Sequence, residues 1–390
     1  MKRFLRLRGR LFWTVVAAAC ALIIGAVVPA MYENQTRQLS RDIDYQVTAT
    51  SPESMVLDYQ AFRAGKPNSQ RAAGPACEPA KLANGQTQYP LACFIRDVPM
   101  EVERHTQTGK ADDSTLASSE SEVTTLINDH LAARVSESSV LNRESTFPAS
   151  GPSTALTLSL GEGGDEITDP GFERDGLQYF FPADTEQRSY PLYDPLLHGS
   201  EPLDFSGTEK VDGIPTYTFQ QDLHGRELDP EVKKLLFSSL AGASADAEEA
   251  TEVVGPAGNF YSQADMERFG YQPEDTVVLE PYYSVSRTVW VESTTGTIVN
   301  AVTHVDISFA TSPQEAAQLD ATDPARERAV VNARLEWSPD SQQRALDAVA
   351  STVNMTKAMS ILGWGGKALG VVLLIIAARM YMRRRAGEAN

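Results

Sequence analysis

Two long apolar stretches dominate the pattern of hydrophobic and polar positions, one near each end of the chain. Residues 11–31 carry no charged side chain, and residues 359–378 carry only Lys367. An α-helix rises about 1.5 Å per residue, so either stretch is long enough to cross a hydrocarbon layer roughly 30 Å thick. The pattern therefore predicts two transmembrane helices, at residues 11–32 and 359–378.

Basic residues flank each apolar stretch on the side facing a chain terminus. They are Lys2, Arg3, Arg6, Arg8 and Arg10 before the first stretch, and Arg379, Arg383, Arg384 and Arg385 after the second. Basic segments resist translocation, so we expect both termini in the cytoplasm. The prediction is a two-pass plasma-membrane protein with cytoplasmic segments 1–10 and 379–390. Residues 33–338 then form an extracytoplasmic domain, and residues 339–358 form a juxtamembrane helix.

The first stretch has other interpretations. Val28-Pro29-Ala30 offers a small-residue site for signal peptidase, and cleavage there stays open, although the apolar run is longer than a usual signal core. A lipoprotein interpretation at Cys20 is rejected, because the residues after it continue the apolar run.

The second stretch contains two features with alternative meanings. Lys367 is expected in the outer half of the layer, where its ammonium either snorkels to the interface or contacts a lipid phosphate or a partner helix. Gly366 and Gly370 form a GxxxG pair, which permits close contact with the first span or with another protein.

Between the spans the pattern is mostly that of β-strands. Alternating residues at 43–50 and 54–62, the run 92–98, and a hairpin at 282–290 and 297–309 all predict strands with one buried face. The Asp-Gly pairs ending at Gly176 and Gly213 predict turns that lead into strands. A short helix is predicted after Asp229, and a second helix, starting at Ser338-Pro339, is predicted to run toward the second span. The predicted fold class is α+β: a β-rich extracytoplasmic domain, as a curved antiparallel sheet or barrel-like, between two transmembrane α-helices.

Charge and cysteines narrow the possible partners. Eleven of the 34 basic residues lie in or beside the terminal spans, which leaves 23 basic against 51 acidic residues between them, a net charge of about −28. Such a surface repels phosphate backbones, so no nucleic-acid partner is expected. Cys77 and Cys93 bracket a loop rich in polar residues and predict a structural disulfide, which contributes roughly 3 kcal/mol on the chain-entropy model.

Catalytic motifs are missing from the sequence. The five histidines show no metal-ligand spacing, and there is no nucleophile elbow, P-loop or dinucleotide fingerprint. We therefore expect a protein that is not an enzyme and that needs no metal or cofactor.

Residues 172–220 and 281–310 resemble a known family. The similar residues are Asp175-Gly176-Leu177, Phe180-Phe181-Pro182, Tyr190, Tyr193-Asp194, Val211-Asp212-Gly213-Ile214, Tyr217, Phe219, Gln220 and the run 289–296. Together with the two-span layout they resemble the actinobacterial "porin PorA-like" family of membrane proteins of unknown function. That family includes a mycobacterial protein associated with maturation of lipomannan into lipoarabinomannan, so the resemblance implies a role in envelope lipoglycan assembly.

The functional prediction is an envelope protein that binds or carries a membrane lipid or lipid-linked glycan, a lipoglycan precursor. Such a ligand needs a cavity with apolar walls and a few polar groups. The predicted wall residues are Tyr179, Phe181, Tyr217, Phe219 and Trp290, with Lys367 for the lipid phosphate. The alternative is a non-catalytic scaffold for envelope glycosyltransferases or transporters. A pore is the third and least favoured interpretation, because the strands lack the lipid-facing pattern of a membrane barrel.

Overall fold

The computed structural model describes residues 2–388 apart from 68–73, 75–76, 82–84, 86, 242–250 and 323–326. Two long helices form the ends of the chain and pack against each other: α1 (Lys2–Thr36) and α6 (Pro339–Glu388). The shorter helices among the described residues are α2 (Tyr59–Arg63), α3 (Pro230–Ala241), α4 (Gln263–Phe269) and α5 (Pro313–Thr322).

Most of the chain between α1 and α6 is β-structure. The described strands are β1 (Asp44–Leu57), β2 (Ala80–Lys81), β3 (Thr87–Gln88), β4 (Ile95–Lys110), β5 (Leu116–Ile127), β6 (His130–Asn142), β7 (Thr154–Leu160), β8 (Glu166–Phe172), β9 (Tyr190–Asp194), β10 (Gly199–Val211), β11 (Ile214–Glu227), β12 (Val253–Pro256), β13 (Thr276–Glu292), β14 (Thr297–Ala310) and β15 (Ala329–Trp337).

Thirteen of these strands form one antiparallel sheet, in the order β8-β7-β6-β5-β4-β1-β15-β14-β13-β11-β10-β9, with β12 paired to β13. The sheet curves until its two edge strands approach each other. The rings of Phe172 on β8 and Tyr193 on β9 lie 5.7 Å apart, but no strand pairing joins the edges. The sheet is therefore open, and the predicted α+β class with a curved antiparallel sheet between two apolar helices is confirmed.

Two glycine turns show how the sequence fixes the hairpins. Asp212 and Gly213 both have positive φ, 46° and 82°, in the two-residue turn between β10 and β11 that an Asp-Gly pair predicts. Gly296 ends the β13–β14 loop at φ 70°, and a Cβ there would lie 2.2 Å from the Phe181 carbonyl oxygen. Glycine is thus required at position 296 by conformation and by space, and its carbonyl oxygen accepts a hydrogen bond from Phe181 N (3.2 Å).

Several local predictions differ from the structure. The strand predicted over 54–62 ends at Leu57, because the Asp58 carboxylate accepts a hydrogen bond from Ala61 N (2.9 Å) and caps α2. Residues Leu91–Phe94 form a 3₁₀ turn, and the strand begins at Ile95. Gly176 does not open a strand; the next residue makes only one bridge, to Leu192. Helix α6 does continue from Pro339 into the second apolar stretch, as expected, and where the span itself begins stays a prediction.

Buried apolar clusters lie at both ends of the sheet domain. At the end next to the long helices, the first turns of α6 bury Ala345, Leu346 and Val349 against Val299 on β14. At the far end, a second cluster contains Cys77 and Cys93, which are joined by the predicted disulfide, together with Leu91, Phe94, Phe260 and Phe309. The domain is thus closed by packing at the far end and joined directly to α6 at the near one.

Candidate functional site

Helices α1 and α6 approach most closely at glycines. A Cβ atom on Gly366 would lie 2.8 Å from Gly25 Cα and 2.9 Å from the Ala21 carbonyl oxygen, whereas ordinary contacts begin near 3.4 Å. A Cβ on Gly370 would likewise lie 2.5 Å from Leu22 Cγ. Of the two partners that the sequence left open for the GxxxG pair, the structure brings it against the first apolar helix.

The remaining surface of this helical hairpin is apolar and exposed. Exposed large side chains include Phe12, Trp13, Ile23 and Met31 on α1, and Ile361, Trp364, Leu369, Val372 and Ile375 on α6. Residues Arg10–Tyr32 and a stretch within Pro339–Arg383 are long and apolar enough to cross a membrane. The two helices therefore fit a membrane protein, since water would not stabilise so much exposed apolar surface.

Lys367 is an exposed charge within this apolar surface. Its Nζ lies 5.6 Å from the centre of the Trp364 ring, within range of a cation–π contact. Its backbone nitrogen lies at the glycine seam, 2.9 Å from where a Cβ on Gly25 would be. Contact between Lys367 and a lipid phosphate stays a prediction.

A cavity of about 340 Å³ lies on the concave side of the sheet. Its apolar wall includes Val47, Val123, Val135, Val289 and Val305, from strands on both halves of the curved sheet. This volume is at the small end of the range for ligand sites, about 300–1,000 Å³. The cavity could hold a compact molecule with an apolar body.

Only two of the five predicted wall residues line this cavity. Tyr179 and Phe181 do, and the structure places the other three elsewhere. Phe219 is fully buried among core rings, because β11 lies between β10 and β13 and is covered on its inner face. Tyr217 packs edge-on against the Phe205 ring, and Trp290 Nε1 donates a hydrogen bond to the Glu209 carboxylate (2.7 Å).

The predicted site residues did not include the charged groups of the cavity wall. Arg287 donates to the Asp194 carboxylate and to the Tyr283 hydroxyl, 2.8 Å away, and the same carboxylate accepts from that hydroxyl at 3.0 Å. Burial raises the pKa of the Tyr283 hydroxyl, so it stays protonated as the donor. Arg104 is the remaining charged group on this wall. Alternation with Val102 and Thr106 along β4 is the signal that could have predicted its inward direction.

A second cavity of about 430 Å³ lies between the sheet and the bases of the long helices. It reaches Thr36 at the end of α1 and Thr352 on α6. Tyr179, Phe181 and Ile298 line both cavities, so the two cavities adjoin at these three side chains. Burial raises the pKa of the Tyr179 hydroxyl, which keeps it neutral there.

Comparison with known proteins gives the family. Residues 12–379 match the family described as Porin PorA. The chain belongs to the porin PorA family. A protein named Porin PorA from Corynebacterium amycolatum is 24% identical over 382 residues, covering 94% of this chain and 96% of the relative. Another of that name, from Corynebacterium resistens, is 27% identical over 412 residues, covering 96% and 97%. The resemblance found in the sequence is confirmed.

The names of these porin PorA relatives overturn the function predicted from the sequence. Lipoglycan assembly and scaffolding were placed ahead of pore formation, whereas both relatives are named as porins. That ranking was wrong, because it tested for a pore only in the strands. The strands lack the lipid-facing pattern of a membrane barrel, but that pattern says nothing about a wall made of helices.

Proposed function

We propose that this porin PorA family member forms a pore in the plasma membrane by assembly of several copies through α1 and α6. The observation that carries the proposal is the hairpin itself. Its two helices touch at Gly25 and Gly366, so one copy has no space for a channel between them. Its outer surface is apolar and open to further copies. The names of the relatives support the same function.

The outer face of the sheet favours a wall made of helices. Most exposed positions on β4, β5 and β6 are polar or charged, including His105, Gln107, Glu120, Glu122 and Ser138. A lipid-facing strand would present apolar side chains at such positions. The sheet domain therefore lies in water, and only the helices cross the bilayer.

The basic flanks of both helices support a cytoplasmic position for the two termini, with the acidic sheet domain outside. In this arrangement the domain sits at the outer mouth of the assembled pore. We also propose that the chain performs no bond chemistry and binds no nucleic acid, for the reasons of motif and charge given above.

Planar-bilayer recording with the purified full-length chain tests the proposal. Stepwise conductance is expected, and its rate of appearance should rise more steeply than linearly with protein concentration because several copies assemble. In a salt gradient, Lys367→Glu should shift the reversal potential towards the value of a cation-selective pore, since charge in a pore wall selects counter-ions. Lys357→Glu, the same change outside the predicted span, is the matched control and should shift it much less.

Two results would overturn the proposal. The first is no conductance above that of detergent alone. The second is a conductance with the same selectivity in the wild type and both variants, which would identify a contaminating channel.

A further inference from the structure

Arg104 occupies an unusual place in the interior cavity. It lies on β4 in register with Val47 on β1 and Val123 on β5, and all three line the same cavity. The residues directly across both neighbouring strands are thus apolar. The guanidinium enters a space whose wall is otherwise mostly hydrophobic.

Arg104 has no anionic partner within the part of the chain that the structure describes. Its Nε has no hydrogen-bond partner, and its electrostatic neighbours are the hydroxyls of Tyr179 and Tyr45. The other arginines with side chains buried or nearly so each have a carboxylate: Arg174 pairs with Glu137, Arg287 with Asp194, and Arg328 with Glu315.

Ring contacts do not replace the missing carboxylate. The Arg104 guanidinium carbon lies 4.9 Å from the centre of the Tyr179 ring and 5.9 Å from that of Trp337. Such contacts stabilise a cation by less than its removal from water costs. Burial accordingly lowers the pKa of the Arg104 guanidinium, although arginine remains charged. A half-buried cation without a carboxylate, beside empty space, has the character of an anion-binding group.

The other charges of the cavity wall leave this cation uncompensated. Arg287 and Asp194 neutralise each other, so the described wall carries a net charge of +1 from Arg104. A guanidinium donates two parallel hydrogen bonds to a carboxylate or a phosphate group. We propose that the cavity binds a compact organic oxyanion, a carboxylate or phosphate monoester on an apolar body, with Arg104 as the anion-binding residue. This site is independent of the proposed pore.

Titration calorimetry on the full-length chain in neutral detergent tests the site. The probes are 4-tert-butylbenzoate, phenyl phosphate, the uncharged 4-tert-butylbenzamide and inorganic phosphate. At least one of the two apolar anions should bind, and comparing them distinguishes a carboxylate ligand from a phosphate ligand. The amide lacks the charge and inorganic phosphate lacks the apolar body, so each should bind at least about tenfold more weakly.

Two variants test whether Arg104 is the anion-binding residue. Arg104→Met should weaken binding of the apolar anion by at least about tenfold, because charge-assisted hydrogen bonds are lost. Arg334→Met is the matched control, since Arg334 is an exposed arginine on β15 that pairs with Glu336, and it should leave binding unchanged. Without ligand, Arg104→Met should melt at or above the wild-type temperature, because an uncompensated, half-buried charge is replaced by an apolar side chain.

Three outcomes would overturn the inference. They are no binding of either apolar anion, binding unaffected by Arg104→Met, and a large fall in the melting temperature of that variant without ligand. The last would make Arg104 a structural residue held by its rings.

Discussion

Replacing Gly366 by valine should separate α1 from α6. The position faces the backbone of α1, with Gly25 Cα and the Ala21 carbonyl oxygen as the nearest atoms. Neither is the end of a flexible side chain, so the helices themselves must move. Gly365 is the matched control, because a Cβ there meets nothing within 4 Å.

The size of the effect follows from the contact distance. The first carbon of the new side chain would start 2.8 Å from Gly25 Cα and must reach at least 3.4 Å, and the two valine methyl groups need further room. Overpacking of this kind costs about 1–3 kcal/mol. The packed hairpin should therefore lose a factor of about 5–150 in population relative to separated helices. Gly365→Val should change it little.

Spin labels on the two helices measure the separation. Cys20 on α1 is exposed and is the free cysteine among the described residues, so it takes the first label without substitution. A cysteine at Val371, exposed on α6, takes the second. Dipolar broadening between the labels should fall in Gly366→Val and persist in Gly365→Val. Equal broadening in both variants would refute the glycine seam as the contact that holds the hairpin.

Three further predictions concern the sheet domain. Reduction of the Cys77–Cys93 disulfide should destabilise it by about 3 kcal/mol, seen as a lower melting temperature with reductant, and an unchanged value would contradict this. Burial alone would raise the pKa of Glu315, but Arg328 and hydrogen bonds hold it below the ordinary 4.5. The stability that ionised Glu315 contributes is therefore complete above about pH 4.5. It is lost as the pH falls through the lower pKa of Glu315 in the folded protein. The melting-temperature gap between wild type and Glu315→Gln should thus be constant from pH 8 to 5 and shrink below; a gap that widens on acidification would refute the pairing. Gly296→Ala should cost about 1–3 kcal/mol in chemical denaturation, because of its positive φ and the nearby Phe181 carbonyl, and a neutral result would show that this loop relaxes.

Features set by local pattern could be predicted from the sequence. The two apolar helices, the β13–β14 hairpin and the Asp212-Gly213 turn each depend on residues close together in the chain, and each is present. Family membership was also recognisable from short motifs. The predicted strand over 54–62 was wrong because alternation continued past Asp58, whose capping bond ended the strand.

Contacts between distant segments were beyond sequence reasoning. Aromatic content near residue 180 singled out Tyr179 and Phe181, which line the cavity, and their role in binding stays a prediction. Alternation cannot show which of two sheet faces is covered by more protein. Phe219 points to the same concave side and is nevertheless core, because neighbouring rings fill the space beside it, the closest being that of Phe181 at 5.1 Å.

Charged residues of the interior were even harder to predict from the sequence than aromatic ones. Arg287 and Asp194 are 93 residues apart in the chain and form an ion pair on the cavity wall. The sequence places Asp194 in a family motif, but nothing in the sequence pairs that acid with Arg287 or places either residue in the interior. Arg104 stands out only because no carboxylate lies beside it among the described residues. That can be seen only once the positions of all neighbouring strands are known. Sequence pattern therefore predicts which side chains a sheet buries, whereas the chemistry of its interior depends on the register of strands that are distant in the chain.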